Sequence, residues 1–301
     1  MDLQLGWMRP EAPYMPIATL GLLSALEDAG DLATAAWREA PIGLILEVFT
    51  NRSPDEVADA IIEAPWPDLG LIPWATTLGQ AIKPMLSEAA DPVSELRRLR
   101  RAVSDRGLAA ERRLLDCLVT EAALDDGGVP GRNRLLRGVK ADLSSVKEKM
   151  KLDRETLAVE LVEGPLWKNG GSGLGLGLSP EVQTFGGTTG RNPSSVGSHS
   201  VLLYKLLWLG LLRLPPYGVL HRGRRMVGGP LITDQSSVSW PIWTSRLDSR
   251  QLKTYFSMSE IHEPEPNVDF LSRRGVTAVY RSTSVPINTM VSVFRWGRRV
   301  A

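Results

Sequence analysis

WKNGGSGLGLGLSPEVQTFGGTTGRNPSSVGSHSVLLYKLLWLGLLRLPP, residues 167–216, joins two opposite kinds of chain. Its first half is rich in glycine and hydroxyl side chains and carries one Arg191-Asn192 pair; its second half, Ser200 to Arg213, is almost wholly apolar and stops at Pro215-Pro216. Leu202, Leu203, Leu206, Leu207, Leu209 and Leu211 make the second half apolar all round, which predicts a helix central to a core, with Ser198 or Ser200 as its N-cap. Leu174, Leu176 and Leu178 alternate with glycines, a strand pattern whose glycine face lets another segment lie close. Glycines that let a backbone approach a ligand, followed by a helix start, suit phosphate contact; a solvent loop before a buried helix is the plainer alternative. Neither Gly-x-x-x-x-Gly-Lys-Ser/Thr nor Gly-x-Gly-x-x-Gly is completed.

The flanking chain predicts an α+β protein: a mixed sheet core, an inserted helical bundle and a C-terminal β-hairpin. On the N-terminal side, Pro16 to Ala29 reads as a helix with Ile17, Leu20, Leu23 and Leu26 recurring every third residue and Gly30 after its last turn, and Ala33 to Glu39 as its continuation after a break. Ile42 to Thr50 reads as a strand, and Ser53-Pro54-Asp55-Glu56 opens a second helix with a cap, a proline and early acids. Residues 76–151 then read as helices, beginning at Asp91-Pro92, Ala109 and Arg132. Thr156 to Val162 (TLAVELV) is strand-like. Beyond the central helix come an edge strand interrupted by Pro241, a short helix over 248–255, a stiff linker HEPEPN at 262–267, and two strand-like runs, 275–282 and 289–296, that form a hairpin. The expected divisions are 1–75, an N-terminal α/β segment; 76–151, a helical bundle; and 152–301, a basic β-rich domain around the apolar helix.

A near-neutral total charge conceals an asymmetry. Residues 186–301 hold fifteen Lys/Arg against six Asp/Glu, a net of +9, whereas residues 1–185 hold twenty against twenty-eight, a net of −8. Only Lys205 and Lys253 in the basic part are lysines. Arginine's planar fork fits phosphates and base edges, so the imbalance points to nucleic acid, with an acidic and a basic surface that pair with each other as the alternative. Arg222, Arg224 and Arg225 lie among glycines, a setting poor for a core and good for phosphate ligands. Arg191 and Asn192 are both residue types able to read a base edge, and Arg246, Arg250, Arg281 and Arg295 complete the candidate set. The run ELRRLRR, 95–101, is either a phosphate site or a solvated helix face.

Chemistry of other kinds finds little support. The single Cys117 leaves no internal disulfide framework and no multi-thiolate zinc site, which fits a reducing cytosol. His199, His221 and His262 lack metal-ligand spacing, no Gly-x-Ser-x-Gly is present, and no acid of the basic half stands in a glycine-rich or strand-end setting with a second carboxylate close in sequence. No signal peptide is expected from MDLQLGWMRPEAPYMP, and the longest apolar run, Val201 to Leu212, is too short for a bilayer. The expectation is a protein without cofactor, metal or catalytic constellation and away from membranes.

Three parts of the chain together resemble a known family. PIATLGLLSALEDAG (16–30) with WREAPIGLILEVF (37–49), GLGLSPE (175–181) followed by SVLLYKLLWLGLLRLPP (200–216), and GVTAVYRS (275–282) are similar to large-subunit proteins of type I CRISPR interference complexes of the minimal U or G branch. The resemblance implies a non-catalytic subunit of a Cascade-like ribonucleoprotein that contacts guide RNA and target DNA, inspects the motif flanking the target and binds other Cascade subunits, while a separate helicase-nuclease cuts. By position it would assign contact to Arg191, Asn192, Arg222, Arg224 and Arg225. Two other readings remain: a protein–protein scaffold without nucleic-acid contact, and an enzyme acting on a phosphorylated small molecule through the 170–190 loop.

Overall fold

The computed structural model describes residues 2–13, 15–41, 43–67, 89–118, 153–166, 168–169, 198–214, 217–221, 224–228, 237–286, 292–294 and 296–301. The chain is α+β, with antiparallel sheets, and divides into two compact units: 1–64 with 150–210 and 231–301, and 65–149 with 211–230. The second unit is therefore discontinuous, taking residues 211–230 in addition to most of the 76–151 stretch. The anticipated strand at 174–178 and helix at 132–151 lie outside the described residues.

In the first unit, β1 (Asp2–Leu5), β2 (Thr34–Ala40) and β3 (Gly43–Phe49) form a sheet of order β1-β3-β2. The expected helical continuation over Ala33 to Glu39 is corrected here: β2 pairs residue for residue with β3, from Thr34 opposite Phe49 to Ala40 opposite Gly43. Ala35, Ala36 and Trp37 are buried in succession, so a strand covered on both faces overrides the helix preference of TAAWREA. A second correction concerns Thr156 to Val162, which belongs to a helix, Arg154–Glu163. The Asp153 carboxylate accepts from the Thr156 N–H at 2.8 Å, and Leu157, Glu160 and Leu161 are buried at i, i+3, i+4. An N-cap just ahead of the run outweighed its β-branched residues.

The core of this unit is the meeting of two helices buried almost all round. α1 (Met15–Asp28) buries every residue from Met15 to Leu26. α2 (Pro54–Glu63) follows β3, α3 is the Pro92–Asp105 helix and α4 the Ala109–Leu118 helix of the second unit, α5 is Arg154–Glu163, and α6 (Val201–Leu211) is the apolar helix of the opening stretch. Ser200, buried, caps α6 by accepting from the Leu203 N–H at 3.1 Å. A Cβ placed on Gly21 of α1 would stand 1.8 Å from the Leu206 carbonyl oxygen, and one on Gly210 of α6 would stand 2.1 Å from that of Ile17. Only two glycines allow this backbone-on-backbone crossing.

α2 begins with a full capping box, in which Ser53 Oγ accepts from the Glu56 N–H at 3.3 Å and Glu56 Oε2 accepts from the Ser53 N–H at 2.8 Å. The Ser53 N–H bond first, and the Ser53 hydroxyl after it, hold the Glu56 carboxyl below the usual carboxylate range. The contribution of a group so depressed is present above its unfolded pKa and lost as pH falls through the folded one. In Ser53→Ala the backbone N–H is kept and the hydroxyl lost, so the Glu56 titration should move part of the way up toward the ordinary carboxylate value, readable by NMR pH titration of the side chain; an unmoved midpoint would mean the Ser53 hydroxyl does not help hold the carboxylate in solution.

The second sheet of this unit is organised on a long strand, β9 (Val276–Pro286). β8 (Ser237–Trp243), β10 (Ser292–Phe294) and β11 (Arg298–Arg299) all pair with it antiparallel, and Pro241 sits in β8, which among the described residues pairs only with β9. β10 opposes the far end of β9, Ser292 to Pro286 and Phe294 to Ser284, while β11 sets Arg298 opposite Arg281. β4 (Lys168–Asn169) and β5 (Ser198–His199) form a minimal pair. α7 (Ser249–Phe256), capped by Asp248 and Gln251, and a short α8 (Val268–Ser272) complete the unit. The two sheets are joined at Ala35 and Leu247, which exchange N–H···O bonds of 2.9 and 3.0 Å. Beside that bridge the Trp243 indole N–H donates to the Ala35 carbonyl at 2.9 Å, and its ring meets Trp37 edge-on, centroids 6.2 Å apart.

In the second unit, Asp91 caps α3 by accepting from the N–H groups of Val93 and Ser94, both at 3.1 Å. β6 (Tyr217–His221) and β7 (Arg224–Gly228) pair antiparallel, from Tyr217 opposite Gly228 to His221 opposite Arg224.

Candidate nucleic-acid interface

Parity along a strand decides what β2 and β3 offer to solvent. Residues directly opposite share a face, so Thr34, Ala36 and Arg38 of β2 stand with Phe49, Glu47 and Ile45 of β3. On that face Arg38 Nε meets Glu47 Oε2 at 3.3 Å, and Arg38 Nη1 donates to the Thr244 carbonyl at 3.2 Å. The segment 244–247 thus lies along the β2 edge, held by Trp243 and by the Leu247 bridge on either side of it. From its middle, exposed Arg246 places its guanidinium carbon 3.6 Å from the centroid of the half-buried Phe49 ring. Arg38 approaches the same ring at 5.8 Å.

Cation–π contact of this kind fixes the plane of a guanidinium while leaving its edge nitrogens available. Among the described residues Arg246 has no hydrogen bond or ion pair, whereas Arg250 on α7 has Glu27 Oε1 3.4 Å from its Nε. Arg38 and Arg250 are therefore each matched by a carboxylate, and Arg246 carries the one unmatched positive charge of the three.

The other expected site residues are distributed differently. Arg281 sits on β9, where its Nε donates to Ser239 Oγ at 2.8 Å and its two terminal nitrogens donate to the carbonyls of Pro264 and Glu263. Its fork holds the 263–264 linker against the sheet, a use within the fold. Arg224 and Arg225 stand in β7, opposite His221 and Leu220. Arg191, Asn192, Arg222 and Arg295 lie outside the described residues.

The ELRRLRR run is largely an internal network. Arg98 bonds Glu95 in a fork, at 2.7 and 2.8 Å, and Asp116 of α4 takes two arginines at 2.9 Å, Arg100 from α3 and Arg112 from one turn earlier on α4 itself. The Arg98 bond lowers the Glu95 pKa, and the same bond raises that of Arg98. This is the solvated, self-paired face that such runs commonly make.

Sequence reading missed Phe49 and Arg38. The signal was available: Phe49 lies two residues from Glu47 in a strand, hence on the same face as a charge, which marks the ring as outward-facing. What no spacing could show is that a segment some two hundred residues later lays Arg246 on that ring. Among the described residues there is no group of three or more His, Cys, Asp or Glu able to hold a metal ion, and no helix long and apolar enough to cross a membrane. No protein-family model matches the chain, and no curated protein matches it in sequence.

Proposed function

We propose that this chain is a non-catalytic, nucleic-acid-binding subunit of a type I CRISPR interference complex, contacting guide RNA or target DNA including the flanking motif. The observation that carries the binding part is Arg246, exposed, stacked at 3.6 Å on Phe49 and without a carboxylate partner among the described residues. The excess of nine positive charges over residues 186–301 supports it, and the resemblance of 16–49, 175–216 and 275–282 to large-subunit proteins supplies the assembly. Arg224 and Arg225 of β7, with Arg222 two residues before the strand in sequence, are the phosphate contacts in this reading. Arg191 and Asn192 are its candidates for base reading.

Affinity for labelled oligonucleotides should fall steeply between ~50 and ~200 mM salt, because each neutralised phosphate releases counterions. Replacing Arg222, Arg224 and Arg225 together by alanine should weaken binding to all sequences alike and reduce the log–log salt slope by about 2 to 3. Fluorescence anisotropy measures both quantities. A triple variant that binds nucleic acid and assembles like wild type would remove those arginines from the site. Failure of the intact chain to bind any oligonucleotide, with native preparations free of nucleic acid, would overturn the reading.

One observation favours the scaffold alternative. Val159 and Val162, i and i+3 on α5, are 46% and 51% exposed, and Leu166, just after the helix ends at Gly164, is 49% exposed. An apolar stripe of that kind suits a protein partner. Co-purification with protein and without nucleic acid at low salt is the result that would support it.

A further inference from the structure

The nucleic-acid reading leaves open what kind of strand the chain engages, and the Arg246 stack bears on it. We propose that the outer face of the Arg246 guanidinium is a seat for one unpaired base of a single-stranded nucleic acid, giving the layered order Phe49, Arg246, base. The inference rests on the reading above and sharpens it from nucleic acid in general to an unstacked nucleotide.

Three features of the site lead there. First, the plane is set in advance: Phe49 backs the guanidinium at 3.6 Å, and the 244–247 segment that carries it is tied down by the buried Trp243 and by the paired hydrogen bonds of Leu247 to Ala35. A base arriving on such a plane loses little to ordering of the protein. Second, among the described residues the arginine on the same strand face and the one a turn further along the chain each have a carboxylate, Arg38 with Glu47 at 3.3 Å and Arg250 with Glu27 at 3.4 Å. Tracking a phosphate backbone takes several unmatched cations, whereas a base needs a flat cationic face, and one unmatched arginine provides that. Third, the guanidinium edge donates no hydrogen bond among the described residues, so its N–H groups remain for base acceptors. A base within a duplex presents no free face, so the seat discriminates by strandedness. An acidic peptide is the competing ligand; it would use only the edge of the guanidinium, and lysine would serve it nearly as well.

Anisotropy with a labelled single strand of about twelve nucleotides, and with the same sequence as a duplex, tests this on the full chain. Arg246→Lys keeps the charge and removes the plane; it should cost about tenfold on the single strand, change duplex binding by less than about twofold, and leave the salt slope in place. Phe49→Leu keeps apolar bulk for the fold and removes the ring, and should lower single-strand affinity by about threefold with unchanged thermal unfolding. Single-strand binding by Arg246→Lys equal to wild type would overturn the seat while the salt-dependent reading stood. Displacement of the single strand by an acidic peptide as readily as by an unlabelled oligonucleotide of equal charge would overturn it in favour of a protein ligand. Absence of binding to either strand by the wild type would overturn both.

Discussion

Gly210→Ala is expected to cost about 3 kcal/mol or more of folding stability, enough to remove much of the 5 to 15 kcal/mol that domains of this kind possess. Two terms of opposite sign compete at this position. Alanine improves helix propensity over glycine by about 1 kcal/mol, which alone would stabilise α6. Against that, the new methyl would stand 2.1 Å from the Ile17 carbonyl oxygen, 2.9 Å from Ile17 Cγ2 and 3.0 Å from its carbonyl carbon. Two of the three are backbone atoms of α1 within its buried Met15–Leu26 stretch, so relief requires moving α1 or α6 as a body. Sterics therefore decide the sign. Gly21→Ala, with its Cβ 1.8 Å from the Leu206 carbonyl oxygen, should behave alike, and the double variant should cost less than the sum because both strain one crossing. Gly6→Ala, where nothing lies within 4 Å of the new Cβ, is the control. Urea unfolding monitored by tryptophan fluorescence gives the comparison. A Gly210→Ala midpoint within experimental error of wild type would mean the helices do not cross at these glycines.

How much of this was legible in the sequence depends on the range of the interaction. Local chemistry was readable: Ser53-Pro54-Asp55-Glu56 announced α2, Asp91-Pro92 announced α3, and the all-round leucines of 202–211 announced a core helix. Where the sequence misled, a longer-range term had won. TAAWREA carries alanines and charges suited to a helix, yet the ladder with β3 and the burial of Trp37 make it a strand. TLAVELV looks like a strand until Asp153 is weighed as a cap. The site followed the same rule. Net charge pointed to the C-terminal half, but charge counts cannot separate Arg281, whose fork is spent on Glu263 and Pro264, from Arg246, which is presented outward on an aromatic ring. That distinction depends on which carbonyls and rings the fold brings near each guanidinium, a matter of tertiary placement.

Trp243→Ala should be the other severe lesion, at about 3 to 5 kcal/mol, and its consequence extends to the candidate interface. The side chain is fully buried, and three interactions end together when it is truncated: its packing in the core, the edge-to-face contact with Trp37, and the indole hydrogen bond to the Ala35 carbonyl. That carbonyl also accepts the Leu247 N–H at 3.0 Å, so the bond loss leaves it half-served and still paired. Hence the polar part is small and the cavity dominates. Trp243→Phe separates them, since it keeps most of the ring and removes the N–H; its cost should be about 1 to 2 kcal/mol. The strand end at Trp243 is also the point from which residues 244–247 run along β2 to set Arg246 on Phe49. If the stack is held by this anchor, Trp243→Phe should preserve the single-strand preference, while a variant that loosens the anchor and still folds, such as Trp243→Leu, should lose that preference before it loses salt-dependent binding to duplex. Thermal unfolding and the two-strand anisotropy comparison, made on the same preparations, separate the outcomes. Equal single-strand preference in Trp243→Leu and wild type would show that Arg246 is placed on Phe49 without help from the Trp243 anchor.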